Sequence, residues 1–219
     1  MTMRELAFLA AAAMITVSCG QRADEATTGE AVTVEETVMT ESYSLDSGAV
    51  VEWRGYKVYI DDQHLGNVPV SGAFELAEGN LVGGVFTMDM TAITVTDMEG
   101  EMKTKLEGHL SNADFFDVAT YPTAVFTIAS VAPLTDVEGV NSTVTGNLEI
   151  KGITNSISFN AMVTADETAI HFEAPVFSID RNKWGVVYNN GEGMDLSGKA
   201  KNYVIDKSIE FKLNLKATF

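Results

Sequence analysis

From Tyr43 onward, apolar and polar residues alternate with a period of two, the pattern of strands that bury one face. In Ala49 to Tyr59, Val51 and Trp53 share a side and Glu52 and Arg54 take the other. Phe74 and Leu76 align in Val68 to Leu76, and Gly79-Asn80 reads as a hairpin turn. Leu81 to Val95 reads as one long strand with Phe86, Met88 and Met90 on a common face, and Gly83-Gly84 marks a bend or bulge. Further on, Val144, Gly146, Leu148 and Ile150 alternate with polar partners up to a tight Lys151-Gly152 turn. Three more inward sets follow. They are Ile153, Ile157, Phe159, Ala161 and Val163; then Ile170, Phe172, Ala174 and Val176; then Ile209, Phe211, Leu213, Leu215, Ala217 and Phe219. The period changes once. Met98, Met102, Leu106 and Leu110 recur every fourth residue, which predicts a helix over Thr96 to Glu107. Thr96 and Glu99 read as its capping box and Gly108 as its stop. Ser111 and Asp114 predict a second short helix through Phe115 and Phe116, ended by Pro122.

About eight strands thus carry one apolar face each, and a short helical insertion near residues 97–117 is too small to cover them as a flat sheet. Closure into an antiparallel β-barrel buries those faces and removes the edges. The expected fold class is therefore all-β. A barrel of about eight strands is filled by side chains or has room for one ligand. Its interior must take Trp53, Phe74, Phe86, Met88, Phe126, Phe159, Phe172 and Phe211. Phe115 and Phe116, side by side in a polar loop, are expected to close one end as a core plug or as a lid. Ala161 is expected to leave space beside Phe159 and Val163, and Trp184 is the one large aromatic of the polar loop Asp180 to Gly185. These twelve residues are the candidate ligand-binding set, and plain core packing is the competing reading for each.

Charge and composition narrow the partners. The net charge of −17 over 219 residues disfavours nucleic acid, and 46% apolar content disfavours disorder. Leu6 to Val17 is an apolar run too short to span a bilayer but suited to a signal peptide, and it ends in Val17-Ser18-Cys19-Gly20. This resembles a bacterial lipobox, so residues 1–18 are expected to be cleaved and Cys19 acylated. Residues 19–41 carry six acidic side chains against Arg22 and no aromatic, the composition of a flexible tether, which leaves 42–219 as the domain. The single cysteine excludes an internal disulfide. His64, His109 and His171 show no metal-ligand spacing, Gly-x-Ser-x-Gly is absent, and no glycine-rich loop opens a helix. No catalytic residue, metal site or cofactor is assigned.

Three stretches carry a family resemblance. Asp114 to Phe126 (DFFDVATYPTAVF), Gly146 to Thr154 (GNLEIKGIT) and Ile179 to Tyr188 (IDRNKWGVVY) occur in order, and together they resemble the YceI-like polyisoprenoid-binding family over roughly Ser47 to Ala217. Asn190 to Asn202 has no clear motif, and the lipobox and acidic tether are additions. The resemblance implies a lipocalin-like barrel and a long-chain isoprenoid lipid or quinone in the lumen, in a protein of the bacterial cell envelope without enzymatic activity. With acylated Cys19 the expected location is lipid-anchored, facing the periplasm or on the cell surface; a homodimer is a further partner expectation. The rival readings are an enzyme or antioxidant carrier acting on the bound lipid, with a histidine or Asp180 and Arg181 at the mouth, and a structural envelope protein with a filled barrel.

Overall fold

The computed structural model describes residues 22–35, 39–194 and 196–219. The expected signal peptide and Cys19 lie outside the described residues. In chain order the strands are β1 (Asp24–Glu25), β2 (Thr27–Glu30), β3 (Glu41–Leu45), β4 (Val50–Lys57), β5 (Gln63–Ala77), β6 (Asn80–Asp89), β7 (Thr94–Val95), β8 (Thr123–Pro133), β9 (Ser142–Ile150), β10 (Ile153–Ala165), β11 (Ala169–Asp180) and β12 (Ile205–Thr218), with one helix, α1 (Gly100–Ser111). Eight of them close an antiparallel barrel: β4 to β5, β6, β8, β9, β10, β11, β12 and back to β4. One end, called the helix end below, carries α1 and the loops 58–62, 151–152 and 181–204.

The hairpins follow from their turns. Glu78-Gly79 and Lys151-Gly152 each place two successive residues at positive φ, the twist that a two-residue hairpin requires. The expected bulge near Gly83-Gly84 is present: the register of β5 with β6 jumps between Glu75↔Gly83 and Leu76↔Leu81. Inward residues of β9, Val144, Leu148 and Ile150, are buried in the alternation that the sequence predicts.

Several expectations need correction. The strand from Leu81 stops at Asp89, because the Asp89 carboxylate accepts from the Thr91 N–H and starts a 3-10 turn over Met90–Ala92. α1 begins at Gly100, not Thr96: the Thr96 N–H is still bonded to the Leu65 carbonyl of β5 at 2.8 Å, and Glu99 makes no side-chain cap. Gly108 does not end the helix, which runs to Ser111. The second helix is a set of turns. Asn112 organises it, its side chain accepting from the Asp114 N–H at 2.9 Å and its carbonyl from Asp117 at 2.8 Å. In β11 the register with β12 shifts between Ala174 and Phe177, so Val176 faces out and Phe177 turns inward and is buried. Pro175 lies in that shift, where a missing N–H does no harm. Phe219, placed with the inward set, is 78% exposed, its ring edge-on to Tyr43 and its N–H on the Thr168 carbonyl at 3.2 Å.

The largest difference concerns the expected tether. β10 and β11 pair directly only over Met162–Ala165 and Ile170–Glu173; toward the helix end they diverge. Residues 24–30 fill the gap. β2 pairs with Asn155–Ser158 of β10, β1 runs parallel to Phe177–Ser178 of β11, and Ala26 between them is buried with its N–H on the Ser178 carbonyl at 2.8 Å. The Val32 N–H and carbonyl both bond the Asn147 side chain, each at 2.8 Å. A segment with little apolar surface is thus ordered by backbone pairing, because the strand edges of a split seam leave donors and acceptors to satisfy.

Candidate functional site

The barrel encloses a cavity of about 160 Å³. Its walls are built by the inward residues of the eight strands, and almost all are apolar. Ten of the twelve candidate residues line it: Trp53, Phe74, Phe86, Met88, Phe115, Phe116, Phe126, Phe159, Phe172 and Phe211. Their rings touch one another. Phe74 meets Phe86 at 4.7 Å and Phe172 at 5.3 Å between centroids, and Phe159 stacks on Phe177 at 4.3 Å.

Two candidates are elsewhere. Ala161 is wholly buried, but it does not line the cavity: it sits beyond it on β10, opposite Ser142. Trp184 is also wholly buried, in a 3-10 turn over Arg181–Trp184, and its indole N–H donates to the Leu148 carbonyl at 2.9 Å. It seals the wall behind the cavity instead of facing it. Sequence reasoning missed Phe177, hidden by the register shift at Pro175, and the lining residues Ile205, Asp206 and Ser208 at the start of β12.

Polar groups reach the cavity at the helix end. They are Arg181, Asp206 and Ser208, beside the place where β12 runs three residues, 206–208, past the single Tyr56 of β4. Arg181 is 1% exposed and donates to the carbonyls of Asp206 at 2.9 Å, Tyr188 at 2.9 Å, Ile205 at 3.1 Å, and Val186. Burial lowers the pKa of its guanidinium against the raising pull of Asp180 and Asp206. Its carbonyl partners fix the chain from Arg181 to Tyr188 and the start of β12. The Phe115 ring lies under its guanidinium carbon at 5.9 Å. Phe115 also meets Tyr188 at 5.7 Å and His109 of α1 at 5.0 Å, so an aromatic group closes this end.

Trp53 is set apart by its indole N–H, the one buried side-chain polar atom without a hydrogen-bond partner among the described residues. Its six-membered ring lies on Gly66, where a Cβ would come within 2.3 Å of it. Glycine is required there because a Cβ would collide first with the Thr94 carbonyl oxygen of β7 and then with the ring.

A second polar cluster lies on the barrel's outer surface at the same end. Glu210 is 1% exposed although it points away from the lumen. It accepts from the Tyr56 hydroxyl at 2.5 Å, from the Arg54 guanidinium (Nε at 2.9 Å), and from the Ala23 N–H at 3.1 Å. Arg22 pairs with Asp206 next to it. Burial pushes the Glu210 carboxyl up, but the bonds from Tyr56, Ala23 and Arg54 together outweigh it and hold it below the usual carboxylate range. The Tyr56 hydroxyl is pushed up by burial and by its bond to Glu210.

The histidines do not converge on the cavity as a set. His64 Nδ1 is 3.1 Å from Asp97, His109 packs between Phe115 and Tyr188, and His171 is exposed on β11. No group of three metal-ligating side chains occurs among the described residues, and no helix among them is long and apolar enough to cross a membrane.

Comparison with known proteins places this architecture. The chain is 28% identical over 138 residues to Protein YceI of Salmonella arizonae and of Salmonella paratyphi B; the match covers 62% of this chain and 64% of each relative. BcnA of Burkholderia cenocepacia shares the fold with a TM-score of 0.57 at 22% identity, over 80% of this chain and 99% of that one. A polyisoprenoid binding domain from Saccharophagus degradans does so with a TM-score of 0.57 at 17% identity, over 80% and 97%. The model of the YceI-like domain matches residues 43–217, and the chain belongs to that family.

Proposed function

We propose that this protein binds and carries a long apolar lipid with a polar head, of the polyprenyl or isoprenoid-quinone class, in the bacterial cell envelope, and catalyses no reaction on it. The observation that carries this reading is the cavity: a lumen of phenyl rings with polar groups gathered at one end. The rings suit an apolar tail and Arg181, Asp206 and Ser208 suit a head; a lumen of about 160 Å³ takes only a short part of a long tail, so loading requires the rings to move apart. The solved relative from Saccharophagus degradans, described as a polyisoprenoid binding domain, points to the same ligand class. The Arg181 guanidinium is occupied by backbone carbonyls, which leaves no free acid–base pair with Asp180 for chemistry.

Energetics favour exchange over capture. At about 0.8 kcal/mol per buried CH₂, a chain of roughly forty carbons would sum past 30 kcal/mol against water. Binding free energies saturate near about −18 to −21 kcal/mol. Such a lipid otherwise rests in a bilayer, so moving it into the lumen gains little, and a carrier that loads and unloads follows. Anchoring through acylated Cys19 keeps the carrier beside its lipid source. Organic extraction of the purified protein followed by mass spectrometry tests the reading. A stoichiometric prenyl lipid is expected, and a protein that is lipid-free and does not take up prenyl lipid from vesicles rejects it.

A further inference from the structure

The exposed face beside the start of the described chain has the character of a membrane-contact surface. In the loop after β4, Val58, Tyr59 and Ile60 are consecutive and 41%, 47% and 37% exposed. Three exposed apolar residues in a row have no folding role, and such runs are avoided on surfaces that meet only water. Tyr203, 64% exposed, joins them: the Val58 N–H bonds the Val204 carbonyl at 3.0 Å, and the Lys201 ammonium lies over the Tyr59 ring at 5.8 Å. Tyrosines interleaved with lysine and aliphatic residues suit the headgroup layer of a bilayer, where a ring can be half apolar and half wet.

Charge supports the same side. Around this patch Arg22, Arg54 and Lys57 are matched by Asp206, Glu210 and Asp62 in ion pairs, so the charge there is close to balanced, with Lys199 and Lys201 against Asp61. The opposite end of the barrel presents Glu78, Asp136, Glu138, Asp166 and Glu167 in its loops. α1 adds Glu99 and Glu101 to the helix end, and His64, between Asp62 and Asp97, links loop 58–62 to the start of that helix, so the contact is centred on the apolar residues and not on a basic face.

The chain's path supplies the third argument. Arg22 lines a surface groove together with Arg54, Tyr56, Lys57, Val58 and Ile60, and it is fixed there by Asp206. Only two residues, Gly20 and Gln21, separate it from Cys19, a reach of at most about 10 Å from Cα to Cα. An acyl anchor on Cys19 therefore enters the bilayer next to this patch, because residues 24–30 are bound into the barrel wall and leave no long tether.

We infer that the barrel docks on the bilayer surface through Val58, Tyr59, Ile60 and Tyr203, which directs the polar-lined end of its cavity at the membrane; this rests on the anchored-carrier reading above. The test uses the full, processed protein bound to vesicles of phosphatidylethanolamine and phosphatidylglycerol that contain headgroup-nitroxide lipid. A fluorophore is placed at Y59C and, in a second variant, at V137C in the 46%-exposed loop of the opposite end. Quenching several-fold stronger at position 59 than at 137 is expected. Equal quenching, or stronger quenching at 137, in protein that floats with the vesicles and carries an acylated N-terminus overturns the docking face alone. Protein that does not float, with an unmodified Cys19 by mass, overturns the anchoring reading and the docking face with it.

Discussion

Glu210 shows how a polar residue on the outer face of a strand comes to be buried. In the sequence it occupies an outward position of β12, where a solvated carboxylate is expected. In the structure Ala23, Arg54 and Tyr56 cover it and bond it. Its folded pKa lies below the ordinary carboxyl value, so its contribution is fully present above the unfolded pKa of about 4.3 and is lost as pH falls through the folded value. Glu210→Gln should cost about 2 kcal/mol at neutral pH, and the gap to the parent should shrink in acid below the folded pKa. Urea midpoints at the two pH values measure both effects. Ala161 gives a cleaner case. It is wholly buried and does not line the cavity, so Ala161→Trp should overpack the barrel and cost about 1–3 kcal/mol or more without displacing lipid by competition. A variant as stable as the parent by chemical denaturation would show unfilled space at that position. Trp53 carries an unpartnered N–H in the cavity wall, and Trp53→Phe removes it. Stability should stay within about 1 kcal/mol of the parent, since a lost donor that had no partner offsets lost packing.

Among the elements, the eight barrel strands are legible in the sequence because a buried face imposes period two and leaves its mark in side chains. Ile170, Phe172 and Ala174 fall where the pattern puts them; it fails past Pro175, where one register shift exchanges the roles of Val176 and Phe177, and at strand ends, where Ile153 and Phe219 of the inward sets are exposed. The helix is legible in its period but not in its bounds, since Thr96 is held by a backbone bond to Leu65 that no local signal announces, and of its stripe Leu110 is buried, Met98 and Leu106 are half-buried and Met102 is exposed. Residues 24–30 are not legible at all. Their docking rests on backbone hydrogen bonds and one buried alanine, and neither leaves a hydrophobic period to read. Of the candidate site, the ten lining residues follow from the inward faces and the aromatic pair of the loop. The polar end does not, because Asp206 and Ser208 depend on the bulge of β12 against β4. Removing residues 22–35 should therefore lower stability by on the order of 3 kcal/mol or more, as the seam of β10 and β11 loses its pairing partners and Glu210 loses a donor. Thermal unfolding of the shortened chain against the parent decides this, and an unchanged midpoint would restore the picture of a dispensable tether.

In the whole molecule, core and proposed site are the same set of residues. Phe74, Phe86, Phe159, Phe172 and Phe177 are buried members of the hydrophobic core and also walls of the cavity. Binding and folding are then linked directly: a ligand held by the native barrel and not by the unfolded chain adds stability that grows with the logarithm of its concentration. At a free concentration of about a hundred times Kd, the gain is roughly 2.7 kcal/mol. Delipidated protein should unfold at a lower temperature than protein as purified, and adding a prenyl lipid in detergent should restore the difference. A saturated fatty chain without a polar head should restore less, because it places only apolar atoms at the end where Arg181, Asp206 and Ser208 line the cavity. A barrel whose lumen served only as packing would show the same midpoint in all four preparations. The calorimetric series thus separates a carrier from a filled structural barrel, whichever prenyl lipid is the natural load.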